Sequence, residues 1–266
     1  MKKNKGPKVL IFDIETAPML GYVWSLWDQN VALNQLKSDW HVLSYAAKWL
    51  FDPPNKIMYK DQRKAKDVSN DKEMLKGIWK LLDDCDVVIT QNGKSFDVKK
   101  LNARFLEHGF QPPSSYKHID TKTIASRHFK FTSNKLEYMT NKFNKKYKKL
   151  TNRKKFAGFE LWKECLAGNL EAWKEMEKYN KYDVLSLEEL YHILAPWDNT
   201  VNFALYTDDE SYKCNCGSTD YRHKGYVYNS AGKYKRYKCA SCGKETRGSI
   251  NLFSKSKRAS LSRPSK

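Results

Sequence analysis

VLIFDIETAP, residues 9–18, places two acids one residue apart at the end of an apolar run. Val9, Leu10, Ile11 and Phe12 have no polar partner on either side of the alternation, which predicts a strand buried on both faces. Successive side chains of a strand point to opposite sides, so Asp13 and Glu15 share one side and Ile14 takes the other. On this stretch alone two readings stay open. Either the strand frays into a polar loop and both acids are solvated, or a divalent cation reconciles two like charges held a few ångströms apart.

The 266 residues carry 49 Lys+Arg against 30 Asp+Glu, a formal net charge of +19. Such a field attracts polyanions, and nucleic acid is the commonest one for a basic protein. The length suffices for a full core, with one large domain and a small one as the expected division. No apolar stretch reaches the length of a membrane span, and the run after MKKNKGPK is too short for a secretory signal. The expectation is a cytoplasmic protein with no membrane partner. The Lys- and Asn-rich usage fits an AT-rich genome, such as that of a bacteriophage acting inside its host.

HVLSYAAKWLF (41–51) and NKIMYKDQ (55–62) read as further strands. DKEMLKGIWKLLDDC (71–85) has apolar residues at Met74, Leu75, Ile78, Leu81 and Leu82, the spacing of a helix with an acidic start. DVVITQ (86–91) is a short β-branched strand, followed by an Asn92-Gly93 turn and a helix over 96–109 that ends at Gly109. Residues 170–194 are helical again, seated by Trp173, Met176, Val184, Leu187, Leu190 and Leu194. Strands alternating with helices predict an α/β sheet domain. Two more acids stand out: Asp97 opens the 96–109 helix, and Asp183 shares a helical face with Tyr179, four residues earlier.

Taken in order, FDIET (12–16), NGKSFD (92–97) and YNKYD (179–183) resemble the three exonuclease motifs of the DEDD superfamily. The resemblance covers about residues 8–195 and is closest to the proofreading 3′–5′ exonuclease domains of family B DNA polymerases and their small stand-alone relatives. Asn92, Phe96, Leu101 and Arg104 fall where the second motif has them. The third motif is the tyrosine variety, because the histidine variety needs His where this chain has Lys178. The resemblance implies a ribonuclease H-like fold, a mixed sheet flanked by helices with the first strand central. It also implies metal-dependent 3′–5′ exonuclease activity, with Asp13, Glu15, Asp97 and Asp183 around two Mg²⁺ or Mn²⁺ ions. In that scheme Asp13 bridges the ions, Glu15 and Asp183 hold the one that activates water, and Asp97 acts through water on the other. Tyr179 would orient the attacking water, and Asn92 and Phe96 would touch the 3′-terminal nucleotides. The plainer readings of those two are a turn former and a core aromatic. Asp120 in HIDTKT is a strand-end acid expected to be structural, and Trp24 and Trp27 either stack on bases or pack in a core. The expected substrate is nucleic acid, DNA favoured over RNA and single strands over duplex. A non-catalytic nucleic-acid-binding protein on a nuclease scaffold is opposed by the complete acid set. A transposase-like strand-transfer enzyme is opposed by the FDIET and Y-x-x-x-D patterns.

Of six cysteines, Cys85 and Cys165 stand alone and are expected as small buried hydrophobes. Cys214, Cys216, Cys239 and Cys242 form C-x-C and C-x₂-C pairs, a clustering that favours metal over disulfides in a reducing compartment. YKCASCGKETR (237–247) looks like a zinc-ribbon knuckle, with YVYNSAGKYKRY (226–237) as a hairpin and Gly232 in its turn. The first pair is shorter than the usual C-x₂-C, so His223 could stand in for Cys214 or Cys216. One structural Zn²⁺ would supply the folding energy of a unit too small for its own core. From Ser211 onward there are 14 Lys/Arg and 2 Asp/Glu, so +12 of the +19 lies there, interleaved with tyrosines. Nucleic acid is the expected partner of that segment, and a protein partner the alternative. The expected division is a ribonuclease H-like domain over 1–205, a zinc ribbon over 206–249 and a basic, disordered tail over 250–266. A second basic run, KFNKKYKKLTNRKK (142–155), is either a solvated face or a phosphate-contacting patch.

Overall fold

A computed structural model of the chain describes residues 6–148, 155–230 and 232–262. Two compact units divide it, one over Lys8–Tyr191 and one that includes His192–Lys266. Along the first run β1 (Val9–Thr16), β2 (Leu20–Gly21), β3 (Leu36–Ser38), β4 (Val42–Trp49), β5 (Met58–Asp61), α1 (Lys72–Asp84), β6 (Val87–Thr90) and α2 (Asp97–Glu107). They are followed by β7 (Lys117–Asp120), α3 (Thr121–His128), α4 (Leu136–Phe143), α5 (Glu160–Leu166) and α6 (Leu170–Leu194).

Five strands make one sheet in the order β5-β4-β1-β6-β7. β1 runs parallel to β6 and antiparallel to β4, so the sheet is mixed and β1 is its central strand. That position accounts for the burial of Val9–Phe12 on both faces. Leu10, Phe12 and Ile14 pack with Met74, Leu75, Ile78 and Leu82 of α1 and with Leu101 and Phe105 of α2. On the other face Leu43 of β4 meets Leu161 and Cys165 of α5 and Trp173, Met176 and Tyr179 of α6. Each of these large side chains gains roughly 1.5–3 kcal/mol from burial. Alternation then leaves Asp13 and Glu15 on the α5–α6 side, and a one-residue slip would exchange acids for core. Buried Lys48 ties β4 to α6 through Glu188 at 2.8 Å.

The strands and helices expected at 41–51, 55–62, 71–85, 86–91 and 96–109 are present with tighter bounds, and the helix over 170–194 with the expected ones. The short elements β2, β3, α3, α4 and α5 carried too little periodicity to be read. Cys85 and Cys165 are buried, which pushes both thiols up to about 12. In the basic run, the amides of Lys145, Lys146 and Tyr147 bind the Glu189 carboxylate, while residues 149–154 lie outside the described residues.

The smaller unit holds β8 (Tyr221–Asn229), β9 (Gly232–Cys239), β10 (Glu245–Arg247) and α7 (Lys255–Ala259). Its three strands form an antiparallel sheet in the order β10-β9-β8. Tyr212, Tyr221 and Tyr237 supply a small aromatic core, with ring centroids 4.6–5.0 Å apart. Three expectations change here. Gly232 is the first residue of β9, paired with Asn229, and it is glycine because a Cβ would lie 2.1 Å from the Asn251 amide. Residues 192–205, expected with the larger domain, belong to the cysteine-bearing unit: Phe203 N donates to Asn215 O at 2.7 Å, and Lys244 binds the Asp198 carbonyl. The expected disordered tail is structured over its described part. Leu252 N donates to Lys233 O at 2.7 Å, and the Ser254 hydroxyl caps α7 by accepting from Lys257 N at 3.1 Å. Among the described residues no helix is long and apolar enough to cross a membrane.

Candidate functional site

β1 delivers Asp13 and Glu15 to the side where α6 presents Asp183. One ligand atom from each lies within 4.8 Å of the others. Asp183 is buried and the other two are half-buried. Three carboxylates at this spacing repel one another unless a cation sits among them. An oxygen-only donor set suits a hard divalent cation, and the residues fit Mg²⁺ or Mn²⁺. Asp97, the expected fourth member, is outside that group. It opens α2, and its Oδ1 accepts from the amide of Ile14 at 3.3 Å, between the two β1 acids and beyond the last β1–β6 pair, Ile11–Ile89. Burial pushes the Asp97 carboxyl up to about 7, against the opposing effect of the Ile14 amide.

Two side chains that the sequence did not single out hold the acids. Asn180 is fully buried on α6, and its amide donates to Asp13 Oδ2 at 2.7 Å and to the Asp13 carbonyl at 3.3 Å. The Asn180 oxygen accepts from the buried Ser44 hydroxyl of β4 at 3.1 Å, which fixes the orientation of the amide. Trp162 of α5 donates its indole N–H to Glu15 Oε2 at 3.2 Å. The Trp162 ring also meets the buried Tyr179 ring edge-on, with centroids 6.2 Å apart. Asn180 had one signal, its place inside YNKYD on the face that carries Asp183. Trp162 had none, because α5 was not legible.

At the turn after β6, Asn92 has φ +67°, a left-handed conformation that asparagine tolerates. Gly93 follows because a Cβ there would lie 2.2 Å from Thr90 Oγ1. Asp120 is a structural acid: it caps α3 and accepts from the amides of Asn92 at 2.9 Å and Lys94 at 3.1 Å. The Asn92 side chain accepts from Lys122 at 3.0 Å, beside a cavity of about 390 Å³ that Asn134 and Lys135 also line. Phe96 is 40% exposed and not a core aromatic. The Lys100 ammonium stands 5.4 Å over its ring and 3.6 Å over Trp40. Arg104 is structural, paired at 2.7 Å with buried Asp71, which also accepts from Val42 N.

Residues 48–195 match the family model of the RNase_H superfamily. The chain belongs to the RNase H superfamily. No curated protein matches it. Among solved structures it is similar to the family B DNA polymerase from the hyperthermophilic archaeon Pyrobaculum calidifontis, at 14% identity and a TM-score of 0.49. The match covers 75% of this chain and 26% of that polymerase, so the chain spans about a quarter of its length.

The smaller unit of this RNase H superfamily member gathers Cys214, Cys216, Cys239 and Cys242, with all four Sγ atoms within 4.8 Å of one another. Cys214–Cys242 and Cys216–Cys239 are each 3.7 Å apart. A tetrahedron of Zn–S bonds about 2.3 Å long has edges of about 3.8 Å, so the set could hold one Zn²⁺. The two knuckles end alike, on Gly217 (φ +88°) and Gly243 (φ +77°). Their amides donate to Cys214 O and Cys239 O, turning the backbone around the sulfurs. Hydrogen bonds from neighbouring thiols pull Cys214 down to about 5, whereas its hydrogen bond and charge push Cys216 up. Four thiolates cannot share this volume without a cation. His223 is not part of the set; its ring packs against Tyr226 and Tyr237 on β8 and β9.

Proposed function

We propose that this RNase H superfamily member is a metal-dependent 3′–5′ exonuclease of the DEDD type, tyrosine variety. It hydrolyses phosphodiester bonds of nucleic acid, with single-stranded DNA as the favoured substrate. The observation that carries the reading is the meeting of Asp13, Glu15 and Asp183 within 4.8 Å at the end of the central strand. Two Mg²⁺ or Mn²⁺ ions, when bound, would supply hydroxide at neutral pH and offset the charge building on the attacking and leaving oxygens. Asp13, Glu15 and Asp183 are the residues that would hold them, with Asp97 adding charge through water. Asn180 fixes Oδ2 of Asp13, and Trp162 fixes Oε2 of Glu15, so neither carboxylate has to be ordered when substrate arrives. The Tyr179 phenol orients the attacking water by a hydrogen bond. The four cysteines form a zinc ribbon whose basic, tyrosine-rich strands grip nucleic acid.

End-labelled DNA and RNA oligonucleotides with free or blocked 3′ ends, digested with and without Mg²⁺, test the reading. Mg²⁺-dependent shortening from free 3′ ends is expected, and it should vanish in Asp13→Asn and Asp183→Asn. Both variants should fold, because each removes like-charge repulsion from the apo site. Cleavage within a few-fold of wild type in either variant, or equal cutting of blocked ends, would refute the assignment.

A further inference from the structure

We infer that the excursion between β1 and β4 is a stacking platform for unpaired bases of a single strand, an extension of the nuclease reading on which it rests. The excursion closes on the short β2–β3 pair, where Leu20 faces Ser38 and Gly21 faces Leu36. Its tip is exposed throughout, and its polar side chains brace it: Gln35 donates to Tyr22 O at 2.9 Å, Ser25 to Trp27 O at 2.8 Å, and Gln29 to Ser25 Oγ at 2.8 Å. The apolar groups are turned out, with Trp24 94%, Leu26 87%, Trp27 80% and Leu33 86% exposed. The tip is therefore held by its own hydrogen bonds and not by burying indoles. Single exposed hydrophobes need no explanation, but a cluster on a braced loop marks a contact surface.

Charge indicates what meets it. The excursion's one Lys or Arg is Lys37 in β3, and its tip, residues 22–34, has none and carries one acid, Asp28. A surface that grips phosphates needs cations, whereas a surface that takes bases needs flat π-faces. Two exposed indoles on a tip without cations suit bases. A second copy of the chain is disfavoured, since each carries +19. The excursion's stem also adjoins the acids. A cavity of about 510 Å³ lies between the excursion's stem and the site, lined by Thr16, Met19, Trp40, Lys100, Phe159 and Trp162. Trp162 is the residue that bonds Glu15. A strand whose 3′ end lies at the acids can therefore run through this cavity, with unpaired bases reaching Trp24 and Trp27.

The test is binding of labelled oligo-dT and oligo-U to the full chain with its zinc in place, in buffer free of Mg²⁺ and Mn²⁺, across a salt series, followed by fluorescence anisotropy. The Trp24→Ala/Trp27→Ala double variant should bind ten- to a hundredfold more weakly, with an unchanged slope of log affinity against log salt, because no phosphate contact is lost. Trp24→Phe/Trp27→Phe should keep most of the affinity, and binding to a duplex should not distinguish the three proteins. A loss confined to the DNA or the RNA arm names which strand the platform takes. Equal affinity of the Ala variant, a matching loss on duplex, or a wild-type dimer that the Ala variant dissociates would overturn the inference. Because binding is read without Mg²⁺ or Mn²⁺, the outcomes separate. Loss of affinity in the Ala variant alongside an inactive wild type removes only the nuclease reading, and intact cleavage with unchanged affinity removes only the platform.

Discussion

Asn180→Asp keeps the shape of a fully buried side chain and turns the donor that faces Asp13 Oδ2 at 2.7 Å into an acceptor. Two carboxylates then oppose each other with charge centres about 4 Å apart. At an effective dielectric of about 20 their repulsion is roughly 4 kcal/mol, equivalent to about three pKa units. One shared proton removes the repulsion and restores a hydrogen bond. The folded pair would keep that proton up to about pH 7, whereas an unfolded aspartate releases it near 3.9. With the folded-state pKa raised, stability is intact in acid and is lost as pH climbs from about 4 to about 7. Circular dichroism melts in buffer free of Mg²⁺ and Mn²⁺ are the assay. Near pH 4.5 the variant should melt within a few degrees of wild type. At pH 8 it should melt about 8–16 °C lower, at about 2–4 °C per kcal/mol for a domain of this size. Asn180→Ala should lose about 1–3 kcal/mol at every pH, from the loss of its hydrogen bonds to Asp13 and Ser44. A pH-independent deficit in Asn180→Asp, or none at pH 8, would refute the proposed Asn180–Asp13 pairing.

Tyr179→Phe should lower cleavage on the order of 10- to 100-fold, or about 1.4–2.7 kcal/mol, without weakening substrate binding. If it is as inactive as Asp13→Asn, the phenol does more than orient water. Burial lowers the His118 imidazole to about 4, with its Nε2 against Thr90 Oγ1 at 2.8 Å. A depressed folded-state pKa makes stability fall as pH drops from about 6.5 through 4, by on the order of 3 kcal/mol at the acid limit. Urea midpoints at pH 7 and 4.5 should therefore converge in His118→Gln, and an unchanged gap would exclude His118 as its source. Metal analysis should find one Zn²⁺ per chain, retained after dialysis into Mg²⁺-free buffer and lost in Cys239→Ser. That variant should still degrade short oligonucleotides within a few-fold of wild type, whereas its inactivity would tie the ribbon to the chemistry.

What the order of residues determined by itself is local. An apolar run ending in Asp-x-Glu can be a strand in only one way up, because alternation sends both acids to the side opposite Ile14. Helical spacing likewise announced α1, α2 and α6, and with them the placements of Asp97, Tyr179 and Asp183. The four cysteines were legible from spacing, as was the basic character of the segment that carries them. The tertiary structure decided whatever depends on elements far apart in the chain. Asn180 meets Asp13 across 167 positions and Trp162 meets Glu15 across 147, pairings that no periodicity encodes. By sequence Gly232 reads as a turn residue, whereas in the fold the Asn251 side chain occupies the space of its Cβ. By sequence His223 reads as a substitute ligand, whereas in the fold the four sulfurs meet without it. Trp24 and Trp27 could have been core or surface by composition, since an indole suits either. Both are exposed on a tip braced by its own hydrogen bonds, a placement that belongs to the folded backbone and not to composition. Periodicity records which side of its own element a residue faces, and only the packing of sheet against helix decides what it meets there.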